Sequence, residues 1–257
     1  MIIESGKISA FVITVLTIIV AYYFTYRASQ GKLPKIRRMP ALEVIDEAVL
    51  RCVEMGRTCH LNPGQAPIYG IYGPMTVAGL TVMKYTARKC AELDAPMIAS
   101  FENPQTMALA MEQIREVYTL EGKASVLTDE NWHFIPGQAY RLSVWGVNMR
   151  RNVGALVGVG AYWGANLPLF ESAKIGGAMT IGGTARMVQI PVIAVVADYT
   201  LIGEELYACQ AYIEKDPLNV SHLAAEDVIK FLTIATFLVG SLLVTAGNDI
   251  IRILLNM

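Results

Sequence analysis

The sequence predicts an α/β protein: a Rossmann-like, mostly parallel sheet with helices on both faces, flanked by N- and C-terminal transmembrane helices. Two long apolar runs lie near the ends of the 257-residue chain. Between them, short apolar segments alternate with segments of helical periodicity. The short segments are continuously apolar, which is typical of strands in a parallel sheet that is covered on both faces.

The composition supports membrane spans and argues against nucleic-acid binding. Hydrophobic residues make up 54% of the chain and the mean hydropathy is +0.41, whereas an ordinary soluble domain contains roughly 45–50% apolar residues. The 21 basic and 22 acidic residues give a formal net charge of −1. A nucleic-acid-binding domain usually carries a basic excess, so a nucleic-acid partner is not expected.

The first element is a predicted transmembrane helix over residues 8–26, a run without any charged residue. At about 1.5 Å per residue this helix is roughly 28 Å long, close to the thickness of the hydrocarbon core of a bilayer. Tyr22, Tyr23 and Tyr26 lie at one end, where aromatic residues meet the membrane interface. A cleaved signal peptide is the alternative. The long apolar run, its basic flank and the lack of an Ala-x-Ala site favour an uncleaved anchor.

The basic residues predict the orientation of the chain. Lys7 alone precedes the first span, whereas five basic residues follow it: Arg27, Lys32, Lys35, Arg37 and Arg38. Because basic residues stay on the cytoplasmic side, we expect a two-pass protein of the cell membrane with a cytoplasmic α/β domain and both termini outside. The same cluster could also contact anionic lipid headgroups.

The last element is a second predicted transmembrane helix, residues 231–247, which Val228 and Ile229 extend. Lys230 can snorkel to the cytoplasmic interface, and the far side is marked by Asn248, Asp249 and Arg252. Small residues four apart permit close helix contacts, and two such pairs occur, Thr236/Gly240 and Ser241/Thr245. A buried helix of a soluble domain is the alternative. The expected domains are an anchor (1–27), a basic linker (28–40), the α/β domain (41–226) and the C-terminal span (227–257).

The α/β domain begins with a helix whose apolar residues repeat from Leu42 to Cys52 and which stops at Gly56. Asn103 and Pro104 are suited to start a later helix. Further helices are expected at 75–93, 138–151, 167–175 and 200–213. Strands are expected at 58–61, 96–101, 124–127, 155–161 and 190–197, of which the last, IPVIAVVA, is the most strand-like run. The glycine pairs at 176–177 and 182–183 are interpreted as turns; the alternative is a close approach of the backbone to a ligand or to another subunit.

Polar residues follow several of the predicted strands. Ligands of open parallel sheets bind beyond the carboxyl ends of the strands, and there the sequence places His60, Glu102, Asn103, Thr128, Asp129 and Asp198. If the strands are adjacent, these side chains share one rim and form a small-ligand site. The alternative is that the acidic residues and the asparagine only cap helices.

A loop rich in proline and glycine is the second candidate site. Gly70, Gly73 and Thr76 precede or open the helix at 75–93, whose N-terminal amides could hold an anion. The loop is not a Walker A motif, because no Gly-Lys-Ser/Thr follows. The segment from Gly158 onwards fails the GxGxxG fingerprint, because Trp163 stands where the third glycine is needed.

The sequence predicts no cofactor, no metal site and no identifiable nucleophile. His60, His133 and His222 lie far apart, and none has a second ligand at helical spacing. The four cysteines form no CxxC pair, so we expect them to be reduced and to pack as small hydrophobic residues. Neither a GxSxG motif nor a convincing Cys–His pair is present, and no reaction can be named.

Two segments resemble a known family. They are residues 62–80, NPGQAPIYGIYGPMTVAGL, and residues 197–217, ADYTLIGEELYACQAYIEKDP. They are similar to an uncharacterised family of prokaryotic membrane proteins, and the resemblance covers most of the chain. It implies the same order of an N-terminal span, an α/β domain and a C-terminal span. It implies no known activity and no functional residues.

The leading hypothesis is a membrane-anchored, self-associating α/β protein that acts as a scaffold or as a small-ligand-sensing module. Two spans hold many copies in one plane and raise their effective concentration, so we expect a homo-oligomer, with the lipid bilayer and a small anionic ligand as other partners. The alternative is a membrane-bound enzyme that uses Glu102, Asp129 and Asp198 on a nucleotide or another anionic metabolite. A transporter is disfavoured, since neither span carries a charge near its centre.

Overall fold

The computed structural model describes residues 8–31 and 38–246. The chain divides into two compact units, one formed by Arg38–Ile213 and the other by Met1–Arg37 with Glu214–Met257. The expected domain boundaries after residues 40 and 226 stay predictions.

The helices, numbered along the chain, are α1 (Ile8–Ser29), α2 (Pro40–Glu43), α3 (Ile45–Met55), α4 (Gly73–Leu93), α5 (Pro104–Leu120), α6 (Tyr140–Arg150), α7 (Asn166–Ile175), α8 (Ile190–Val196), α9 (Glu204–Glu214) and α10 (Pro217–Thr245).

The unit Arg38–Ile213 is built on a six-stranded sheet in which all pairs of neighbouring strands are parallel. The strands are β1 (Thr58–Gly64), β2 (Met97–Phe101), β3 (Trp132–Phe134), β4 (Val153–Ala161), β5 (Met179–Thr184) and β6 (Tyr199–Ile202). Their order in the sheet is β3-β2-β1-β4-β5-β6. The predicted α/β class and the parallel sheet are therefore confirmed, and the order is that of a doubly wound Rossmann fold.

The centre of the sheet is buried because its strands are apolar along their whole length. Every residue of β4 is buried, and β4 contains only valine, alanine, leucine and glycine. A glycine lets α4 lie close to this strand: a Cβ on Gly79 would be 2.1 Å from the carbonyl oxygen of Val159. On the face covered by α6 and α7, the large side chains of Tyr140, Tyr162 and Phe170 are fully buried.

Four local predictions are wrong. Residues 124–127 contain a 3-10 turn, and the third strand lies later, at β3. The strand-like run at 190–197 forms α8, since a short apolar run fits a buried strand and a short helix equally well. The helix expected from residue 200 begins only at α9, after β6. Gly182 and Gly183 lie within β5 and not in a turn.

The other unit contains the two helices that are long and apolar enough to cross a membrane, over Phe11–Ser29 and Pro217–Thr245. They pack against each other, yet only 6% of the apolar window of each is buried, so most of their apolar side chains face outwards. The C-terminal helix is longer than expected, because it begins at Pro217 and not near residue 228. Residues 32–37 of the basic linker, and the predicted far-side markers after residue 246, lie outside the described residues.

Candidate functional site

The order of the strands locates the position in this fold where a ligand site is expected. The chain winds outwards in one direction through β1, β2 and β3 and in the other through β4, β5 and β6, so the direction reverses between β1 and β4. Loops that leave two adjacent strands in opposite directions open a crevice at their carboxyl ends. The residues that follow β1 and β4 therefore form the candidate site.

Gln65, the residue after β1, connects three strand ends at this point. Its side-chain oxygen Oε1 accepts hydrogen bonds from the backbone amides of Trp163 at 2.8 Å and of Ala165 at 3.2 Å. Its nitrogen Nε2 donates to the carboxylate of Glu102, which follows β2. Gly64 makes the approach possible, since it has φ +87° and a Cβ there would meet the backbone of Ala161 at 2.6 Å. The side chain of Gln65 thus fills the crevice at the reversal.

Three loops are joined beside this crevice by one cation and two aromatic rings. The guanidinium of Arg186, after β5, lies 4.5 Å from the ring centroid of Trp163 and 5.4 Å from that of Tyr72. The two rings contact each other edge to face at 4.9 Å. Arg186 also donates to the carbonyl oxygen of Tyr162 at 2.6 Å. We refer to Tyr72, Trp163 and Arg186 as the loop cluster; it places a positive charge at the crevice.

Asn166, the first residue of α7, has an unusual environment. It is 1% exposed, and its side-chain nitrogen Nδ2 has no hydrogen-bond partner among the described residues. A buried amide without a partner costs free energy of folding. Asn166 directly follows Ala165, whose own amide donates to Gln65, so hydrogen-bond donors are concentrated at the start of this helix.

The glycine-rich loop lies at the same edge of the sheet, but its amides are already engaged. The amide of Gly73 donates to the carbonyl of Gly70, and the amides of Met75 and Thr76 donate to the carbonyl of Tyr72. The hydroxyl of Thr76 donates to the carbonyl of Ala66 at 3.2 Å. Anion binding by Gly70, Gly73 and Thr76 stays a prediction. The amides of Trp163 and Ala165 before α7 are also engaged, but by a side chain, Gln65, and not by the backbone.

An apolar groove of ≈ 400 Å³ lies between this loop and α9. Its lining residues are Ile68, Tyr69, Gly70, Gly73, Pro74, Val77, Ala78, Tyr207 and Gln210. The groove contains no charged side chain, so it is not suited to hold an anion by itself.

His60 is not at the rim, because β1 continues past it to Gly64. It is fully buried in the strand, where Nδ1 lies 2.5 Å from Oδ1 of Asn148 and Nε2 lies 2.7 Å from the hydroxyl of Ser100. The side-chain nitrogen of Asn148 donates to Leu169 and Ser172. Its oxygen is therefore the acceptor, and the proton of the neutral imidazole sits on Nδ1. Burial lowers the pKa of His60 to about 4.

Of the polar residues expected at one rim, Glu102 and Asn103 lie there, after β2. Asn103 caps α5 by accepting from the amides of Gln105 and Thr106, whereas Glu102 contacts Gln65. Thr128 and Asp129 lie before β3 and therefore at the opposite edge of the sheet.

Asp198 also lies at the opposite edge, because it precedes β6. Its carboxylate accepts from the amide and hydroxyl of Thr180 and pairs with Lys174 at 3.0 Å. Burial alone would raise the pKa of Asp198, but the hydrogen bonds from Thr180 and the ammonium of Lys174 hold it below its ordinary value. The rim of three carboxylates is thus not formed. Within residues 8–31 and 38–246, no group of three or more His, Cys, Asp or Glu side chains is close enough to hold a metal ion.

Sequence reasoning missed Gln65, Arg186 and Asn166 and treated Trp163 only as a misplaced glycine. Uncharged amides carry no clear sequence signal of a site. The available signal was a contrast in charge: residues 61–83 and 153–170 contain no charged residue, and Arg186 is the only charged residue within 175–197.

The comparison with known proteins identifies a family without a described activity. Residues 1–255 match the family described as "Domain of unknown function (DUF6754)". No curated protein and no solved structure matches the chain. The expectation of an uncharacterised family is confirmed, while its membrane location and prokaryotic origin stay predictions.

Proposed function

We propose, on the premise that this chain belongs to the DUF6754 family, that it is a membrane-anchored binding protein whose α/β unit holds a small anionic ligand where the carboxyl ends of β1 and β4 meet. The observation that carries this proposal is the convergence of two backbone amides, those of Trp163 and Ala165, on one oxygen atom, Oε1 of Gln65. A carboxylate or phosphate oxygen of a ligand would accept the same two amides once the side chain of Gln65 moves aside. Amides at the start of a helix favour a negative charge there.

The loop cluster supplies the positive charge and a surface for stacking. Arg186 lies over the ring of Trp163, which is 43% exposed, and a planar guanidinium suits recognition of phosphate or carboxylate. Asn166, with its buried amide nitrogen, adds a donor next to Ala165. No acidic side chain is present in the loops at 65–72 and 162–165, so an anion meets no like charge from them.

Glu102 indicates which kind of anion is expected. In doubly wound folds, an acidic residue at the end of the second strand accepts hydrogen bonds from sugar hydroxyls, and Glu102 directly follows β2. The ligand class is therefore an anion that also carries hydroxyl groups, such as a nucleotide or a phosphorylated sugar. The proposal is binding and not turnover, because Glu102 alone remains of the three carboxylates expected at the rim.

Thermal unfolding of the full chain in detergent tests the proposal. Adenine and guanine nucleotides, nicotinamide dinucleotides and sugar phosphates are added separately, and native mass spectrometry of the purified protein is recorded beside them. A true ligand at 100 times its Kd stabilises the protein by about 2.7 kcal/mol, which is a rise in Tm of roughly 5 to 10 °C. If no compound raises the Tm and no molecule is retained, the proposal is wrong.

Matched variants distinguish specific from general anion binding. Arg186→Gln and Glu102→Gln are expected to remove the ligand-induced rise in Tm. Arg141→Gln is the control, because Arg141 lies on the exposed surface of α6 and donates a hydrogen bond to its neighbour Gln138 at 3.3 Å. Equal loss in all three variants would indicate unspecific binding.

The anchoring part of the proposal rests on α1 and α10 and on the basic residues around the first span. Arg27 and Arg38 belong to a group of five basic residues that follow the span, against Lys7 before it, which favours a cytoplasmic α/β unit. The native cysteines are buried, so introduced cysteines report the topology. Ser5→Cys is expected to react with an impermeant maleimide in intact cells, and Ser125→Cys only after permeabilisation. The reverse pattern would overturn the orientation.

Self-association is a second candidate function, favoured by a feature of α10. Ser241 and Thr245 are both exposed on this helix, and small residues at this spacing allow two helices to approach closely. The expected result is an oligomer in mild detergent, measured by mass photometry and blue-native gels. Ser241→Leu with Thr245→Leu is expected to reduce it, while Val239→Leu on the same helix is the control. A monomer at all concentrations rejects self-association.

A further inference from the structure

One edge of the α/β unit is unusually apolar. Ile71 is 90% exposed, Met187 is 84% exposed, and Tyr69, Trp163, Leu167 and Val188 are exposed as well. These six residues lie in or directly after the three loops that leave β1, β4 and β5 at their carboxyl ends. We refer to them as the apolar edge. Clusters of exposed apolar side chains mark a surface that contacts a protein, a membrane or a ligand.

The three loops of the apolar edge form one connected surface. Tyr72 from the first loop, Trp163 from the second and Arg186 from the third contact one another in the loop cluster. The exposed apolar residues adjoin these three anchors along the chain: Ile71 precedes Tyr72, and Met187 follows Arg186. Because the anchors touch, the three loops that carry the exposed apolar side chains are connected to one another.

The charges around the apolar edge indicate what it contacts. The three loops contain no acidic residue, and Arg186 is their only charged residue. The acidic residues at the same edge of the sheet, Glu102, Glu204 and Glu205, follow β2 and β6, outside these loops. The opposite edge of the sheet is charged in its turns, with Arg57, Asp94, Glu121, Lys123, Glu130, Arg151 and Asp198. The three loops thus combine aromatic and aliphatic side chains with one cation, a composition typical of segments that lie in the headgroup layer of a bilayer.

We infer that the apolar edge docks onto the lipid bilayer, with Ile71 and Met187 inserted below the headgroups. The inference rests on the anchoring part of the proposed function, because α1 and α10 keep the bilayer close to the α/β unit. Attachment to a bilayer raises the effective concentration of its surface, so even modest apolar burial keeps the edge docked. The amphipathic rings of Tyr69 and Trp163 are suited to the interface.

The fluorescence of Trp163 measures docking directly. The chain contains three tryptophans, and Trp132→Phe with Trp145→Phe leaves Trp163 as the only reporter. This full-length chain is reconstituted into nanodiscs of phosphatidylcholine and phosphatidylglycerol. Brominated phosphatidylcholine is expected to quench most of the Trp163 emission, whereas aqueous iodide quenches little of it.

Variants of the loop tips complete the test. Ile71→Glu with Val188→Glu introduces two charges that the bilayer rejects, so the expected result is loss of quenching by brominated lipid and gain of quenching by iodide. Leu120→Glu is the matched control: Leu120 is also exposed, but it ends α5 at the opposite edge of the sheet. The control is expected to retain the quenching of the reference protein.

Three results overturn the inference. The first is iodide quenching of Trp163 in reconstituted protein without quenching by brominated lipid. The second is protection of Trp163 from both quenchers that disappears when each nanodisc carries a single chain. That result would mean that the apolar edge contacts a second copy of the chain and not the bilayer. The third is an equal effect of Leu120→Glu. If the anchoring fails, the chain stays in the aqueous phase without detergent, which is seen separately from docking. Flotation of that chain with vesicles of the same lipids then tests the apolar edge alone. Flotation that Ile71→Glu does not change rejects docking.

Discussion

Nδ1 of His60, on β1, lies 2.5 Å from Oδ1 of Asn148, on α6, in a fully buried hydrogen bond between the sheet and the helix that covers it. The second ring nitrogen of His60 is occupied by Ser100, and the amide nitrogen of Asn148 by Leu169 and Ser172. Every polar atom of the two side chains therefore has a partner. This arrangement satisfies the neutral imidazole as it stands, whereas protonation of Nε2 would require the hydroxyl of Ser100 to turn and accept instead of donating.

The first prediction concerns pH. Burial lowers the pKa of His60 from 6.5 to about 4, so between these values the unfolded chain binds a proton that the folded chain does not. Stability is then complete above pH 6.5 and falls as the pH decreases towards 4, by roughly 3 kcal/mol in total. Thermal unfolding of the protein in detergent over this pH range measures the slope. His60→Gln is expected to flatten it, and an unchanged slope in that variant would refute the assignment.

The second prediction concerns Asn148. Asn148→Ala leaves the Nδ1 proton of His60 without its acceptor and removes the donor to Leu169 and Ser172, at an expected cost of about 3 kcal/mol in the free energy of unfolding. Asn166→Ala is the control, because Asn166 is equally buried but its Nδ2 has no partner to lose among the described residues. Urea unfolding compares the two. If Asn166→Ala costs as much as Asn148→Ala, the hydrogen bonds of Asn148 are not the cause.

The third prediction concerns the close packing of α4 on β4. Gly79→Ala would place Cβ 2.1 Å from the backbone oxygen of Val159, so the helix must move away, at a cost of about 3 kcal/mol. Gly146→Ala is the control, since it is also inside a helix but its Cβ meets only the flexible guanidinium of Arg150. That substitution is expected to be neutral or stabilising by up to about 1 kcal/mol. Equal Tm values for the two variants would contradict the close approach.

The fourth prediction concerns the contact between Gln65 and Glu102. Gln65→Glu places two carboxylates together, which raises the pKa of one of them in the folded protein. A raised pKa in the folded state means that stability is retained at low pH and lost as the pH rises. The free energy of unfolding of the variant is therefore close to that of the unmodified protein near pH 4, and lower by about 2 kcal/mol at pH 8. Adding Glu102→Gln restores one carboxylate and one amide. A double variant as unstable at pH 8 as the single one would show that the pair does not interact.

The parts of the fold that could be predicted from the sequence were those with an unambiguous local signal. Asn103 followed by Pro104 marks a helix start by itself, and the structure places α5 there. The two uncharged apolar runs near the ends of the chain are an equally clear local signal, and they predicted the two long apolar helices. The run at 190–197 could not be assigned, because seven apolar residues have no period that distinguishes a strand from a short helix.

One wrong element also changed the expected site. Asp198 follows the run at 190–197, so if that run were a strand the carboxylate would lie at its carboxyl end. The run is a helix and the strand comes afterwards, which moves Asp198 to the opposite edge. Asp129 moved in the same way, because β3 follows it. Gln65 and Trp163 are 98 positions apart in sequence, and no local pattern predicts such a contact between an amide side chain and a backbone amide.

The side chain of Gln65 has a kinetic consequence. A ligand oxygen that enters the crevice exchanges two existing hydrogen bonds for two new ones, so only its charge and its other contacts provide net free energy. Such an exchange gives moderate affinity, in which complexes dissociate within short times. In the proposed binding mode, a ligand that displaces Oε1 of Gln65 also disturbs the hydrogen bond from Gln65 to Glu102 at the end of β2, and we expect occupancy to follow changes in ligand concentration promptly.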